Sequence, residues 1–253
     1  EAMQVLKHKA FSIMDVARLG DDPKESLMIC GGVNKLMLQL VEGSVRAAYI
    51  GALERIEAGH GVKVRTNLAD GSSVLADPDE PLVEGFFDDL MAPPDNLLIL
   101  GGGYVGAALY ELACFLDFEV TVFDDREEFV SRERFPRAAG LASGDYRTLI
   151  EGYGFNDYPH AAIVTRGHLE DASCLKACIR KPCRYLGLIG SRRKVRLLME
   201  EMRQEGYGEV ELSKVHAPIG LDIGAETPEE IAVAIMAQII EGKNGKKNHK
   251  KNQ

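Results

Sequence analysis

From Asn96 onward the chain repeats one pattern: a short apolar run, a turn of small residues, then an apolar stripe at helical spacing. LLIL at 97–100 reads as a buried strand, being continuous, short and running straight into a glycine turn. AALYELACFLDF has the periodicity of a helix, and EVTVFDD reads as a second strand. The pattern recurs with a strand over His160–Thr165, a helix in DASCLKACI, then RYLGLIG and RRKVRLLMEEMRQ as strand and helix. The final block, HAPIGLDIGAETPEEIAVAIMAQII, opens on a glycine-rich loop and closes on a helix whose start is marked by Thr227, Pro228 and Glu230. These supply a cap hydroxyl, a proline at the first helical position and a reciprocal glutamate. Such alternation predicts an α/β fold, a Rossmann-like doubly wound parallel sheet forming the C-terminal domain.

The first part of the chain reads differently. Residues 1–76 predict a smaller α+β domain: a helix over roughly Met3–Leu19, a strand-like SLMIC, an apolar run VNKLMLQLV, a helix over roughly Val45–Glu57, and two short strands in GVKVRTNLADGSSV around an Asp-Gly turn. Residues 77–95, rich in acids and holding the tandem Pro93 and Pro94, read as a linker. Residues 96–242 are then the Rossmann-like domain and 243–253 a basic, disordered tail.

The turn after the first strand carries chemistry. Gly101, Gly103 and Gly106 have the G-x-G-x-x-G spacing, in which the first permits a tight turn, the second lets backbone approach a phosphate, and the third lets helix pack on strand. The helix behind them directs unpaired N–H groups and the positive end of its dipole at an anion. Asp124, about twenty residues on, stands where a carboxylate can accept ribose hydroxyls. Asp125 and Arg126 beside it bear on nucleotide preference. Strand-end loops of a parallel sheet converge, so Thr165-Arg166-Gly167-His168 and Gly190-Ser191-Arg192-Arg193-Lys194 should face the same crevice. Ser191 reads as a helix cap, and the three cations after it either bind a second anion or form a solvated face.

Charge and cysteine content narrow the class. The formal charge is −9, yet residues 243–253 hold five lysines and no acid, leaving 25 basic against 39 acidic residues elsewhere. An acidic body argues against a nucleic-acid surface. No apolar run is long enough to span a membrane, and no signal peptide is visible, although the chain begins at Glu1 rather than methionine. The five cysteines (Cys30, Cys114, Cys174, Cys178, Cys183) fit free thiols in a reducing compartment, with the cytoplasm as the expected location. Cys174 and Cys178 share a helix face but lack the partners of a structural zinc site.

Five segments, LILGGGYVG, VTVFDDREEF, VTRGHLED, YLGLIGSRRK and APIGLDIGAETPEEIAVAI, resemble the C-terminal domain of the XdhC/CoxI family, the xanthine dehydrogenase accessory proteins. They cover most of residues 97–242, and the last three are specific, since ordinary dehydrogenases do not combine them in one sheet. MICGG around Cys30 is similar to part of the family's other domain, which usually begins with strands and a Gly-Gly-Cys segment without counterpart here. Family members commonly carry histidine where this chain has Tyr104. The resemblance implies a maturation factor that binds molybdenum cofactor, as molybdopterin or its nucleotide form, supports its sulfuration and inserts it into an apo molybdenum hydroxylase. It further implies a cysteine desulfurase as partner and a chaperone rather than a turnover enzyme.

In that reading Cys30 carries sulfur or ligates molybdenum, since soft sulfur suits such a centre, although a buried structural cysteine is equally compatible with its position. Gly101, Gly103, Tyr104, Gly106, Asp124, Arg126, Arg166, His168, Ser191, Arg192 and Lys194 form the expected cofactor-binding set. His168 and Arg166 have plain alternatives: a satisfied loop histidine, and a pair with Asp171 or Glu170. Asp222 faces the crevice or bonds its own turn. A homodimer is expected, with LVEGFFDDLM as a candidate contact. Two other readings compete: an NAD-dependent oxidoreductase, and a non-catalytic nucleotide-sensing module such as the regulatory domains of cation channels. The former lacks a self-evident acid/base dyad, and the latter has no place for GLIGSRRK and PIGLDIG.

Overall fold

The computed structural model describes residues 2–8, 11–17, 33–155 and 159–248. The chain divides into two compact units, residues 1–93 and 94–253.

In the first unit α1 (Ala2–His8) precedes an antiparallel pair, β1 (Ser12–Ala17) and β2 (Val33–Leu38). The helix expected over Met3–Leu19 therefore stops at His8 and the chain becomes a strand. β-branched and alternating residues in SIMDVA favour the pleated, half-buried surface of that pair over a helix. SLMIC and Cys30 lie outside the described residues. α2 (Gly43–Glu57) then packs Ala48 and Ala52 on Val62 and Val64 of a three-stranded antiparallel sheet. Its strands run β4 (Ser73–Ala76), β3 (Val62–Asn67), β5 (Phe86–Met91).

β5 falls inside residues 77–95, so that the segment read as a linker contributes a strand to the first unit. Phe86–Met91 pairs along all of β3, from Val62↔Met91 to Asn67↔Phe86. Its reason is electrostatic as well as steric. Arg65, a buried cation on β3, donates through Nε and Nη2 to Asp88 at 2.7 and 2.8 Å and through Nη1 to Glu80 at 3.0 Å. The acids that looked like solvated linker residues neutralise an arginine that could not otherwise be buried.

The second unit is a six-stranded parallel sheet in the order β11-β10-β9-β6-β7-β8. Its strands are β6 (Asn96–Leu100), β7 (Glu119–Asp124), β8 (Gly140–Ser143), β9 (His160–Ile163), β10 (Tyr185–Leu188) and the two-residue β11 (Val215–His216). Counted within the unit, this is the 3-2-1-4-5-6 order of dinucleotide-binding folds, with the chain reversing direction between β6 and β9.

Alternate residues of each strand feed opposite layers. Leu97 and Ile99 pack with α3 (Tyr104–Phe115) and α8 (Pro228–Asn248) on one face. Leu98 and Leu100 pack with α4 (Tyr146–Gly152), α5 (His168–Cys178), α6 (Arg192–Gln204) and the single turn α7 (Glu209–Leu212) on the other. All four side chains of 97–100 are fully buried, each stabilising by about 1.5–3 kcal/mol. The N-terminus of α8 forms as the sequence predicts: Thr227 Oγ1 accepts from the Glu230 N–H, and the Glu230 carboxylate accepts from the N–H groups of Thr227 and Glu226. α8 continues to Asn248, into the segment read as a disordered tail. Among the described residues no helix is long and apolar enough to cross a membrane.

Candidate functional site

Every helix that follows a parallel strand starts at the carboxyl edge of the sheet, so α3, α5 and α6 open their N-termini there, behind β6, β9 and β10. Gly101 adopts φ +121°, a conformation that only glycine holds without strain, and a Cβ on it would overlap the Val164 carbonyl. A Cβ on Gly106 would overlap the Gly101 carbonyl oxygen, and one on Gly102 the Phe129 carbonyl oxygen. Gly103 is different: among the described residues its missing Cβ would meet nothing within 4 Å, and no side chain caps α3. Gly101 and Gly106 are thus required by packing, whereas Gly103 leaves room for something outside the protein to approach the first turn of α3.

Asp124 does not offer itself to a ribose. It is buried, and its four acceptor positions are taken: Oδ2 by the Gly102 N–H at 2.8 Å and Arg126 Nη2 at 3.1 Å, Oδ1 by the Arg126 N–H at 3.0 Å and Nε at 2.9 Å. Burial pushes its carboxyl up, but the Arg126 fork and the two main-chain N–H groups outweigh this and hold it below the usual carboxylate range. Arg126 in turn stacks on Phe129, its guanidinium 3.6 Å from the ring centre, and Arg134 donates to the Gly102 carbonyl at 2.9 Å. The loop after β7 is therefore bolted over the glycine turn. The expected hydroxyl acceptor is instead the organiser of that turn, and Arg126 is its counter-ion.

Asp125, next along, is half-exposed. Its Oδ2 accepts from Arg166 at 2.7 Å, while its buried Oδ1, 3.7 Å from Arg126 Nε, has no hydrogen-bond partner among the described residues. Arg166 thus pairs across the β6–β9 crevice rather than with Asp171 or Glu170. Asp171, fully buried in the first turn of α5, accepts from the Thr165 hydroxyl at 2.5 Å and from Lys194 Nζ. That pair ties the TRGH loop to the GSRRK loop. Ser191 caps α6 by accepting from the Lys194 N–H at 3.2 Å. Exposed His168 stands with Ser191, Arg193 and Lys194 around a shallow depression of about 220 Å³.

Arg192 bonds Asp222 at 2.8 Å, and both are exposed at the rim of a cavity of about 460 Å³. The cavity lies between the GSR turn and the PIGLDIGA loop and is walled by Ile189, Pro218, Ile219, Leu221 and Ala234. The loop is pinned to α8: Gly220 at φ +92° places its N–H on Gln238 Oε1 at 2.9 Å, which also accepts from the Tyr185 hydroxyl at 2.6 Å. A second, wider concavity of about 700 Å³ follows α3 and α8 and takes in Tyr104, 84% exposed. Tyr104 accordingly borders the crevice while its side chain belongs to the helix groove.

The structure therefore brings Gly101, Gly103, Gly106, Asp124, Arg126, Arg166, His168, Ser191, Arg192 and Lys194 to one sheet edge, while Cys30 lies outside the described residues. Sequence reasoning missed the buried Asp171 junction and the Phe129 and Arg134 cover. No spacing rule could signal them, because each depends on a contact between distant loops. Cys174 and Cys178 are core residues whose thiols burial pushes up, and Cys183 is pushed up to about 12 by burial. None is poised as a thiolate. Among the described residues no cluster of His, Cys, Asp and Glu could hold a metal ion.

The chain is similar to known proteins. Over 150 residues, 59% of the chain, it is 34% identical to the uncharacterized protein YqeB of Escherichia coli (strain K12), covering 27% of that protein. Over 155 residues, 61% of the chain, it is 29% identical to a probable xanthine dehydrogenase subunit of Bacillus subtilis (strain 168), covering 45% of that protein. The chain thus spans less than half the length of either relative. A solved structure described as a xanthine dehydrogenase from Bacillus halodurans shares the fold, with a TM-score of 0.80 at 21% identity over 96% of this chain and 78% of that one. Residues 97–239, more than half the chain and all of the sheet edge described above, match the XdhC Rossmann domain, and the chain belongs to the XdhC family.

Proposed function

We propose that the chain is a maturation factor that binds molybdenum cofactor at the carboxyl edge of its second unit, supports its sulfuration and aids its insertion into an apo molybdenum hydroxylase. The observation that carries this is the convergence of three helix N-termini with an open Gly103 cradle beside a largely apolar cavity. A pterin bearing a phosphate, or a pyrophosphate in its nucleotide form, needs both an anion cradle and a flat apolar slot. The cofactor is cargo. Gly103 and the first turn of α3 would hold its phosphate, with Ser191 and Lys194 of α6 and His168 of α5 nearby. Cys30 would carry the sulfur or ligate molybdenum, a cysteine desulfurase would supply that sulfur, and a homodimer in the cytoplasm is the working state.

An oxidoreductase built on NAD is disfavoured by Asp124, whose acceptor positions are filled from within. Titrating the purified chain with molybdopterin tests the proposal. Saturable binding, lost in Gly103→Glu through charge repulsion with the fold intact, supports it. Failure to bind, together with hydride transfer from NADH to a carbonyl substrate, overturns it.

A further inference from the structure

The cavity beside β10 and β11 has a lining that selects among flat ligands. Its walls are aliphatic side chains and glycine backbone, and the charged side chains at its rim are Arg192 and Asp222. Its volume, about 460 Å³, falls in the range of small-molecule sites. The strands set its place relative to the glycine turn. β6, β9 and β10 are neighbours, and strands lie about 4.8 Å apart, so the cavity mouth is on the order of 10 Å from the Gly103 cradle. A ring system seated in the cavity can therefore extend a short phosphate-bearing arm to α3.

Resting on the cofactor-binding reading above, we infer that this cavity is the ring subsite for a 2-amino-4-oxo pterin and that Asp222 is its specificity-determining residue. Such a ring presents two adjacent N–H donors along one edge, from the 2-amino group and the neighbouring ring nitrogen. A carboxylate accepts both in the bidentate manner in which it accepts an arginine fork. Asp222 already accepts one guanidinium bond, from Arg192 Nη2 to its Oδ2 at 2.8 Å, with both side chains more than four-fifths exposed. An exposed pair of this kind contributes little stability, so exchanging one guanidinium bond for the pterin edge costs little. Arg192, planar and released at the rim, is placed to stack on the ring it admits. The pinning of the loop by Gln238 keeps Asp222 at the cavity mouth whether or not the pair is made.

Fluorescence titration of the full chain with 6-hydroxymethylpterin, and with the corresponding lumazine that has oxygen in place of the 2-amino group, tests this. The pterin is expected to bind roughly tenfold or more tightly than the lumazine, because the lumazine leaves one carboxylate acceptor facing an oxygen. Asp222→Asn, exposed and without a structural role, should fold normally and abolish that preference. Equal binding of the two compounds, absence of pterin binding, or an undiminished preference in Asp222→Asn overturns the inference. Molybdopterin binding that depends on Gly103 but is unchanged in Asp222→Asn would leave the cofactor-binding reading standing while removing this one.

Discussion

Asp124 shows how one residue can keep its motif position and change its task. Its carboxylate receives four hydrogen bonds, two from backbone N–H groups and two from Arg126, in a site closed to solvent. Asp124→Asn removes the nearer counter-ion of the Arg126 guanidinium, leaving it Asp125 Oδ1 at 3.7 Å, and loses two charge-assisted bonds at the glycine turn. The expected cost is about 3 kcal/mol, measured by denaturant unfolding. The pH dependence has a definite sign. Because the native carboxyl titrates below its unfolded value, its contribution is complete above about pH 4 and is lost as pH falls through the native value. The gap between wild type and Asp124→Asn should therefore be flat from neutral pH down to about 4 and narrow below it. A gap that instead widened on acidification would show that the charge is not what stabilises the turn.

At the scale of elements, the strand–glycine turn–helix unit separates residues that build the turn from the residue that leaves it open. Gly106→Ala forces a methyl into the Gly101 carbonyl, so α3 must move off β6, and a loss of more than about 3 kcal/mol is expected by thermal unfolding. Gly103→Glu meets open space at an extended backbone position and should melt within about 0.5 kcal/mol of wild type while losing anion binding. If both variants melt alike, the two glycines have not been told apart correctly. The spacing of three glycines and an acid was legible in the chain, but their division of labour was not, since it depends on the Val164 carbonyl, which arrives from another strand end to crowd Gly101, and on the Gly101 carbonyl that the folded turn sets against Gly106. The same holds for Lys194. Its place in GSRRK marks it as a cation near a helix N-terminus, yet its partner Asp171 is buried on a neighbouring helix.

For the molecule as a whole, the second unit contains its own two-faced core and every described residue of the proposed crevice. Residues 94–253 produced alone should unfold in one cooperative transition and retain pterin and phosphate binding, as followed by circular dichroism and fluorescence. Loss of either would show that the first unit completes the site. The pattern of apolar runs was enough to predict the parallel sheet, the helix caps at Ser191 and Thr227, and the convergence of four loops, because burial period and capping chemistry are local properties of the chain. It misplaced β5, since a strand held by a buried arginine looks like an acidic linker until Arg65 is seen beside it. Which charges are spent inside the fold and which face a ligand belongs to the folded chain alone. Asp124 and Arg126 neutralise each other beneath the Phe129 ring and Lys194 is paired with Asp171 of α5, while Arg192 and Asp222 pair with each other in the open, and a charge acquires its role only when the desolvation around it is set by everything packed against it.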